Sequence, residues 1–228
     1  MAIVKTKKEI ALIARACKIT DDIFSKLVGD FHFTTETELA DWILVEIKAR
    51  GLKPSFPPIV ASGKGAAEPH HIPTDTKLRG FVVIDFGVIY KKYMSDMTRT
   101  IYVGKPSSTE RAVYKKVLDA ELLGIKTVCV GEKCGRADQV VRDFFGQRFA
   151  KYFIHTLGHG VGTRIHEPPR IFFKRMRTRF KKDMIVTIEP GLYVPNKWGV
   201  RIEDTCHVRQ NACVPLTHSS KELLIFKK

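Results

Sequence analysis

Gly80-Phe-Val-Val-Ile-Asp-Phe-Gly87 leads into Ser95-Asp-Met-Thr98, and Asp183-Met-Ile-Val-Thr-Ile-Glu-Pro-Gly191 leads into Ile202-Glu-Asp-Thr205. In both stretches an apolar run ends in a carboxylate, Gly follows two positions later, and a second carboxylate then precedes Thr by two positions. Two such halves predict strand pairs that face each other across a pseudo-twofold axis. Chance resemblance between two hairpins is the alternative explanation of this pattern.

The first half predicts a hairpin. A tight turn at 90–91 would pair the strand 81–90 with the strand 94–103 and place Asp85 opposite Asp96. Like charges at opposed positions repel, and an ionised group removed from water costs several kcal/mol unless its charge is compensated. The sequence therefore predicts that something compensates these two carboxylates.

In the second half, Glu189 and Glu203 are likewise two carboxylates in need of charge compensation, on a predicted hairpin that turns near Asn196. Four strand carboxylates at one place suit two divalent cations that share bridging carboxylates. The alternative is a salt bridge for each carboxylate, with Arg99 and Arg201 as candidate partners. The common pattern of all four residues favours the metal site.

Helical periodicity and capping signals predict two helices near the N-terminus. Apolar residues recur at helical spacing over 10–27 and Gly29 follows, while Thr35 and Glu38 match a capping box for a second helix that ends at Gly51. Further helices are predicted at 109–127 and 136–150, and strands at 55–62, 81–90, 94–103, 184–194, 199–209 and 222–227. We expect one α+β domain over residues 1–228.

A histidine-rich segment forms the second candidate constellation. It runs from Phe153 to Pro169 and contains His155, His159 and His166. Glycines on both sides of His159 allow the backbone to approach closely, so its imidazole can reach a metal while the other two histidines flank the site. His70 is a further polar candidate. The alternative is that the pair His70-His71 only belongs to a surface loop and has no role in the site.

Composition excludes several classes of protein. The chain has 228 residues, 44% of them hydrophobic, which suffices for a full core, and no apolar run approaches the length of a membrane span. Five cysteines without paired spacing, and no apolar signal core, predict a reduced cytoplasmic protein. The net charge of +15 raises nucleic acid as a partner, but the basic residues are dispersed except at 174–182, so we expect a solvated basic surface instead.

Together these motifs resemble the pita-bread-fold metallopeptidases, the family of methionine aminopeptidase, aminopeptidase P and prolidase. The resemblance spans nearly the whole chain, and the motif forms around Asp85, Asp96, His159, Glu189 and Glu203 are similar to the Xaa-Pro branch. It implies an exopeptidase, such as an aminopeptidase P or a prolidase, that hydrolyses short peptides at Xaa-Pro bonds. It also implies two divalent ions, with manganese or cobalt expected and zinc or iron as alternatives.

The resemblance further implies a role for each candidate residue. Asp96 and Glu203 would bridge both ions, Asp85 would complete one, and His159 with Glu189 the other. Glu189 would also accept a proton from the attacking water. His70, His155 and His166 would position the substrate and stabilise the oxyanion, and Arg201 would orient nearby carboxylates.

Three expectations depend on features outside these motifs. Relatives usually carry an N-terminal domain before this unit, which we expect to be absent here because the first predicted helix begins near residue 7. Without that domain, a strict Xaa-Pro preference and the oligomeric state of relatives need not carry over to this chain. A homodimer is the candidate oligomer. The competing functions are a methionine aminopeptidase-like activity, favoured by the short length, and a catalytically inactive pita-bread module, disfavoured by the intact ligand set.

Overall fold

The computed structural model describes residues 4–227 and confirms the α+β class. Its four α-helices match the predicted ones within a few residues: α1 Lys7–Gly29, α2 Glu36–Ala49, α3 Ser108–Thr127 and α4 Cys134–Ala150. The hydroxyl of Thr6 accepts a hydrogen bond from the backbone N–H of Glu9, and the Glu9 carboxylate accepts one from the Thr6 N–H, so a capping box starts α1. Thr35 caps α2 by accepting from the N–H of Glu38, but the Glu38 carboxylate accepts from the N–H of Thr34, so the predicted capping box is only half formed.

Within residues 4–227, fourteen short strands form four sheets. The strands are β1 Lys53–Pro54, β2 Ile59–Ser62, β3 Gly80–Phe86, β4 Val88–Tyr90, β5 Tyr93–Met94, β6 Met97–Val103, β7 Gly158–Gly160, β8 Glu167–Ile171, β9 Ile185–Ile188, β10 Gly191–Val194, β11 Trp198–Arg201, β12 Asp204–Arg209, β13 Ala212–Pro215 and β14 Ile225–Phe226. The two larger sheets have the orders β14-β6-β3-β2 and β13-β12-β9-β7-β8, and the smaller ones β1-β4-β5 and β10-β11.

Each larger sheet carries one pair of helices, so the chain has two similar halves. The apolar faces of α1 and α2 pack on β2, β3 and β6 through residues such as Ile23, Ile43 and Ile84, all 0–1% exposed. The helices α3 and α4 pack on β9 and β12 through residues such as Val117 and Ile188. The two-halves prediction is consistent with this arrangement, in which β3–β6 and β9–β12 are corresponding antiparallel pairs.

The predicted pairing of Asp85 with Asp96 was wrong by two positions. In the β3–β6 ladder Asp85 lies opposite Thr98, and the hairpin turns at Lys91-Lys92 instead of 90–91. Both turn residues have positive φ, 47° and 78°, as a two-residue hairpin loop of this kind requires. Because the pairing shifts by two, Asp96 stays diagonal to Asp85 on the same side. The carboxylates still converge.

Other strand predictions also need correction. The strand predicted at 55–62 begins only at Ile59, and the run 81–90 is divided at Gly87, where a Cβ would overlap the carbonyl of Ser95. The hairpin predicted near Asn196 is present, but its ladder ends at Gly191 and Arg201, two positions short of Glu189 and Glu203. That hairpin is β10–β11, while these two residues are the next ones beyond the paired ends of β9 and β12.

The basic segment 174–182 packs against the start of α4. The backbone N–H of Cys134 donates to the carbonyl of Thr178, and Phe180 in the same segment is buried in the core. Its basic side chains are mostly exposed, which fits the expected solvated surface. Within the described residues, none of the helices has both the length and the apolar character that a membrane span needs.

Candidate metal centre

The two strand pairs bring their carboxylates to one cavity of about 620 Å³. Asp85 is the penultimate residue of β3, and Asp96 immediately precedes β6. Glu189 follows β9, and Glu203 precedes β12. His159, in the middle of β7, reaches the same cavity because β7 adjoins β9. All five predicted ligand residues therefore line one site.

Three of these residues already offer ligand atoms at metal-binding spacing. One atom each of Asp96, His159 and Glu203 lies within 4.8 Å of the other two. Nε2 of His159 is 3.6 Å from Oδ2 of Asp96 and 3.3 Å from Oε1 of Glu189. Carboxylate oxygens with one imidazole nitrogen form a donor set that accepts manganese, cobalt, iron or zinc.

The hydrogen bonds of His159 leave the correct nitrogen free for a metal. Nδ1 lies 3.1 Å from the carbonyl oxygen of Gly160, so Nδ1 carries the hydrogen and Nε2 presents a lone pair to the cavity. Burial and the neighbouring His166 lower the pKa of His159 to about 3, which keeps the ring neutral at physiological pH. A neutral imidazole is the form that binds metals.

Asp85 gives the clearest sign of a missing partner. Its Oδ2 accepts a hydrogen bond from Nη2 of Arg201 at 2.6 Å. Its Oδ1 is buried and has no hydrogen-bond partner, the one such side-chain atom among the described residues. Because a buried carboxylate oxygen without a partner is costly, this atom fits a metal-ligand position.

The site carries more negative charge than its protein neighbours compensate. Burial, and then the neighbouring carboxylates, raise the pKa of Asp96 well above its usual range, and the same causes act on Glu203. Burial raises the pKa of Glu189 to about 8. Without a further cation, protons would have to neutralise this cluster, and divalent ions would displace them.

Of the two arginines considered as salt-bridge partners, only one reaches the site carboxylates. Arg201 pairs with Asp85, whereas Nη2 of Arg99 donates to Asp204 at 2.7 Å. Arg99 touches Glu203 only through the backbone carbonyl. One guanidinium cannot compensate four clustered carboxylates, so the salt-bridge alternative fails as a complete explanation.

The ring of His155 is held by hydrogen bonds within the protein. Its Nδ1 lies 2.8 Å from the carbonyl oxygen of Thr156 and its Nε2 lies 2.9 Å from Oη of Tyr193. Tyr193 in turn accepts a hydrogen bond from Nη1 of Arg201 at 2.8 Å. Both ring nitrogens of His155 therefore have partners within the protein, while the residue also lines the cavity. The predicted role of His155 at the substrate stays a prediction.

His70 and His166 also line the cavity. The ring of His166 lies edge-on to that of His159, with centroids 4.3 Å apart. Burial and the nearby Arg170 lower the pKa of His166, so the ring is a neutral N–H donor at physiological pH. These two histidines can therefore point at a group bound beside the carboxylate cluster.

Two functional candidates were missed by the sequence analysis. Tyr193 lies in the motif Thr187-Ile-Glu-Pro-Gly-Leu-Tyr193 and is 2% exposed, but its link from Arg201 to His155 depends on contacts between distant segments. Arg170 lines the cavity beside His166, and it has no carboxylate within salt-bridge distance in residues 4–227. Apolar residues form much of the remaining wall: Phe56, Pro57, Pro58, Ile59, Ile72 and Pro73.

Comparison with known proteins finds similar sequences and structures in one peptidase family. The profile of metallopeptidase family M24 matches residues 11–210. The chain is 40% identical to an Xaa-Pro dipeptidase of Pyrococcus furiosus, over 98% of this chain and 66% of that protein. Among solved structures, an Xaa-Pro dipeptidase from Bacillus anthracis superposes with a TM-score of 0.93 at 37% identity, covering 98% of this chain and 64% of that one.

An X-Pro aminopeptidase from Thermotoga maritima MSB8 also superposes with a TM-score of 0.93, at 33% identity, over 100% of this chain and 65% of that one. The chain thus spans slightly less than two thirds of the length of these relatives. These similarities confirm the expected pita-bread fold, and the profile covers most of the sequence. The chain belongs to metallopeptidase family M24.

Proposed function

We propose that this chain is the catalytic part of a metal-dependent exopeptidase that cleaves short peptides at Xaa-Pro bonds. The observation that carries the proposal is the convergence of Asp96, His159 and Glu203 within 4.8 Å at a cavity of about 620 Å³. That volume suits a small peptide. The relatives that are named for Xaa-Pro activity support the substrate class.

In this proposal Asp85, Asp96, His159, Glu189 and Glu203 would hold the two divalent ions. Divalent ions bound there would lower the pKa of water from about 15.7 toward 7 and polarise the scissile carbonyl. Manganese or cobalt is the expected metal, with zinc or iron as alternatives. The unpartnered Oδ1 of Asp85 supports this assignment independently of the relatives.

The chain's own groups then bind the peptide and move the proton. Glu189 accepts the proton from the attacking water, since its carboxylate adjoins Nε2 of His159. His70 and His166 donate hydrogen bonds to the oxyanion as it forms. Arg201 fixes Asp85 on one side and Tyr193 on the other, and Tyr193 holds His155 in place.

The cavity wall supports small Xaa-Pro substrates. The apolar wall near Phe56, Ile72 and Pro73 offers contact for a pyrrolidine ring, which has no N–H to satisfy. The guanidinium of Arg170 supplies a positive charge for a carboxylate close to the scissile bond, which favours dipeptides over longer peptides. A methionine aminopeptidase-like activity remains the competing proposal. A cytoplasmic location and a homodimer stay predictions.

A peptide panel tests the proposal. Xaa-Pro dipeptides, Xaa-Pro-Xaa tripeptides and Met-Xaa peptides are incubated with the full chain and manganese or cobalt, and an exhaustively chelated sample serves as control. We expect hydrolysis of the Xaa-Pro peptides only with metal. Full activity after chelation would overturn the metal mechanism, and a preference for Met-Xaa peptides would overturn the substrate class. No hydrolysis of any peptide under metal saturation would favour an inactive binding module.

A further inference from the structure

A buried ion pair outside the carboxylate cluster joins the N-terminal segment to the histidine-rich loop. Nζ of Lys5 lies 2.6 Å from Oε2 of Glu167, and both side chains are only 3% exposed. The two residues are 162 positions apart in the chain. Neither belongs to the predicted ligand set, and the proposed reaction leaves both without a role.

The other oxygen of Glu167 organises the loop in front of it. Oε1 accepts hydrogen bonds from the backbone N–H of Thr163 at 2.9 Å and of Arg164 at 3.2 Å. These bonds close the turn that ends at His166, the residue immediately before Glu167. The orientation of His166 toward the cavity therefore depends on where the Glu167 carboxylate is held.

Lys5 fixes that carboxylate to the body of the protein. Its own backbone N–H donates to the carbonyl of Asp183 at 2.8 Å, just before β9, and α1 begins two residues later. A Cβ at Gly162 would lie 2.6 Å from both Nζ of Lys5 and the Glu167 oxygens. The pair is thus packed directly against the backbone of Gly162.

We infer that Lys5 is a positioning residue, which holds the His166 loop over the catalytic cavity through Glu167. The physical reason lies in how buried ion pairs behave. Desolvation offsets most of their attraction, so an apolar pair of similar volume often stabilises a fold equally well. What the charged pair supplies here is a fixed geometry for a histidine that stands against His159. The inference rests on the proposed function, in which His166 contacts the substrate.

A double-mutant cycle tests the inference. Lys5→Met, His166→Ala and the combination are assayed with an Xaa-Pro dipeptide under saturating manganese, and bound metal is counted in each. Lys26→Met is the matched control, because it breaks a surface lysine–carboxylate pair with Glu46. We expect Lys5→Met to lower kcat about 10–100-fold with metal retained, as small misplacements near the reacting atoms do. In the His166→Ala background the same change should lower kcat less than twofold.

A second measurement does not depend on activity. Trypsin cleavage after Arg164 is followed by mass spectrometry under native conditions, and we expect it to be faster in Lys5→Met than in wild type or Lys26→Met. If Lys5→Met does not fold, the double variant Lys5→Met/Glu167→Gln, which leaves neither charge buried, takes its place in both experiments.

The outcomes separate the two proposals. An equal loss of kcat in both backgrounds, or unchanged cleavage after Arg164, would overturn the role of Lys5 while leaving the proposed function intact. If wild type hydrolyses none of the peptides, the proposed function fails, and the digestion alone decides whether Lys5 orders the loop.

Discussion

Arg201 donates from Nη2 to Asp85 Oδ2 across 2.6 Å, and this bond occupies only one of the two Asp85 oxygens. The other oxygen is available for a divalent ion. In the proposed site Asp85 would therefore have two sources of charge compensation, Arg201 from the protein and a bound metal ion. The loss of Arg201 should therefore have a smaller effect when metal is bound, and the loss of metal a smaller effect when Arg201 is present.

Arg201→Met should therefore destabilise the metal-free protein more than the metal-loaded protein. Breaking a buried pair by removing one partner costs about 3–5 kcal/mol, because the remaining charge stays buried. Bound manganese would compensate Asp85 and reduce that loss. Thermal melts of wild type and variant, with chelator and with saturating manganese, measure the difference. An identical loss of Tm in both conditions would show that metal does not bind beside Asp85.

His70→Ala and His166→Ala should lower kcat while bound metal stays at the wild-type level. Both residues face the cavity without being part of the ligand cluster, and removal of one oxyanion donor typically costs about 10²–10³-fold in kcat. Kinetics and elemental analysis on the same preparations make the measurement. Loss of metal from either variant would move that histidine into the ligand set.

The sequence predicted the residues of the site better than their register. Asp85 and Glu189 each end an apolar run, and Asp96 and Glu203 each precede Thr by two positions, so the signal for all four is local. The hairpin turn is not signalled in the same way, since Lys91 and Lys92 adopt positive φ without being Gly or Asn. A shift of two positions leaves each side chain on the same face of the strand. The two carboxylates therefore still face one cavity, although their pairing was predicted wrongly.

The strands β7 and β8 were not predicted, because their composition is unusual for strands. The strand β7 is Gly-His-Gly, and β8 contains two prolines, so neither shows the apolar alternation that marks a strand. Their place in the sheet comes from pairing with β9 and with each other. Long-range partners such as Tyr193 for His155 and Lys5 for Glu167 have no local signal at all, because the fold alone brings them together.

A buried charge network of Arg99, Glu121, Asp204 and Lys221 predicts how the stability of the protein depends on pH. Nζ of Lys221 lies 3.0 Å from both oxygens of Glu121 and 2.7 Å from Oδ2 of Asp204. Its charge and that of Arg99 hold the pKa of Asp204 at about 2, despite burial. Burial, and then the charge of Asp204, raise the pKa of Glu121 to about 8. Near neutral pH Asp204 is therefore ionised and Glu121 holds a proton.

Glu121→Gln should therefore make stability less dependent on pH. In the unfolded chain the pKa of Glu is about 4.3, so between about pH 4.3 and pH 8 the unfolded state releases a proton that the folded state keeps. The free energy of unfolding contributed by Glu121 is fully present below that window and falls as pH rises through it. Tm at pH 5.5 and pH 8.5, with manganese saturating, should drop more in wild type than in Glu121→Gln. The exposed Glu68→Gln is the control, and equal slopes in all three proteins would mean that Glu121 is ionised throughout.

Metal should stabilise the fold as well as serve catalysis, because the apo site holds four carboxylates at short range and raises the pKa of Asp96 and Glu203. A ligand that binds only the folded state adds about 2.7 kcal/mol when its free concentration is 100 times Kd, and for a domain of this size each kcal/mol moves Tm by roughly 2–4 °C. Manganese or cobalt should therefore raise the Tm of wild type by several degrees.

Asp96→Ala removes an oxygen donor from the cluster with His159 and Glu203, so it should lose bound metal and most of that rise. Relieved of one buried carboxylate, its metal-free form should melt at or above the metal-free wild type. Asp30→Ala, which changes an exposed carboxylate far from the cavity, is the matched control and should gain as much from metal as wild type. Equal gains in wild type and Asp96→Ala would place the stabilising cation elsewhere and contradict the clustered-carboxylate site.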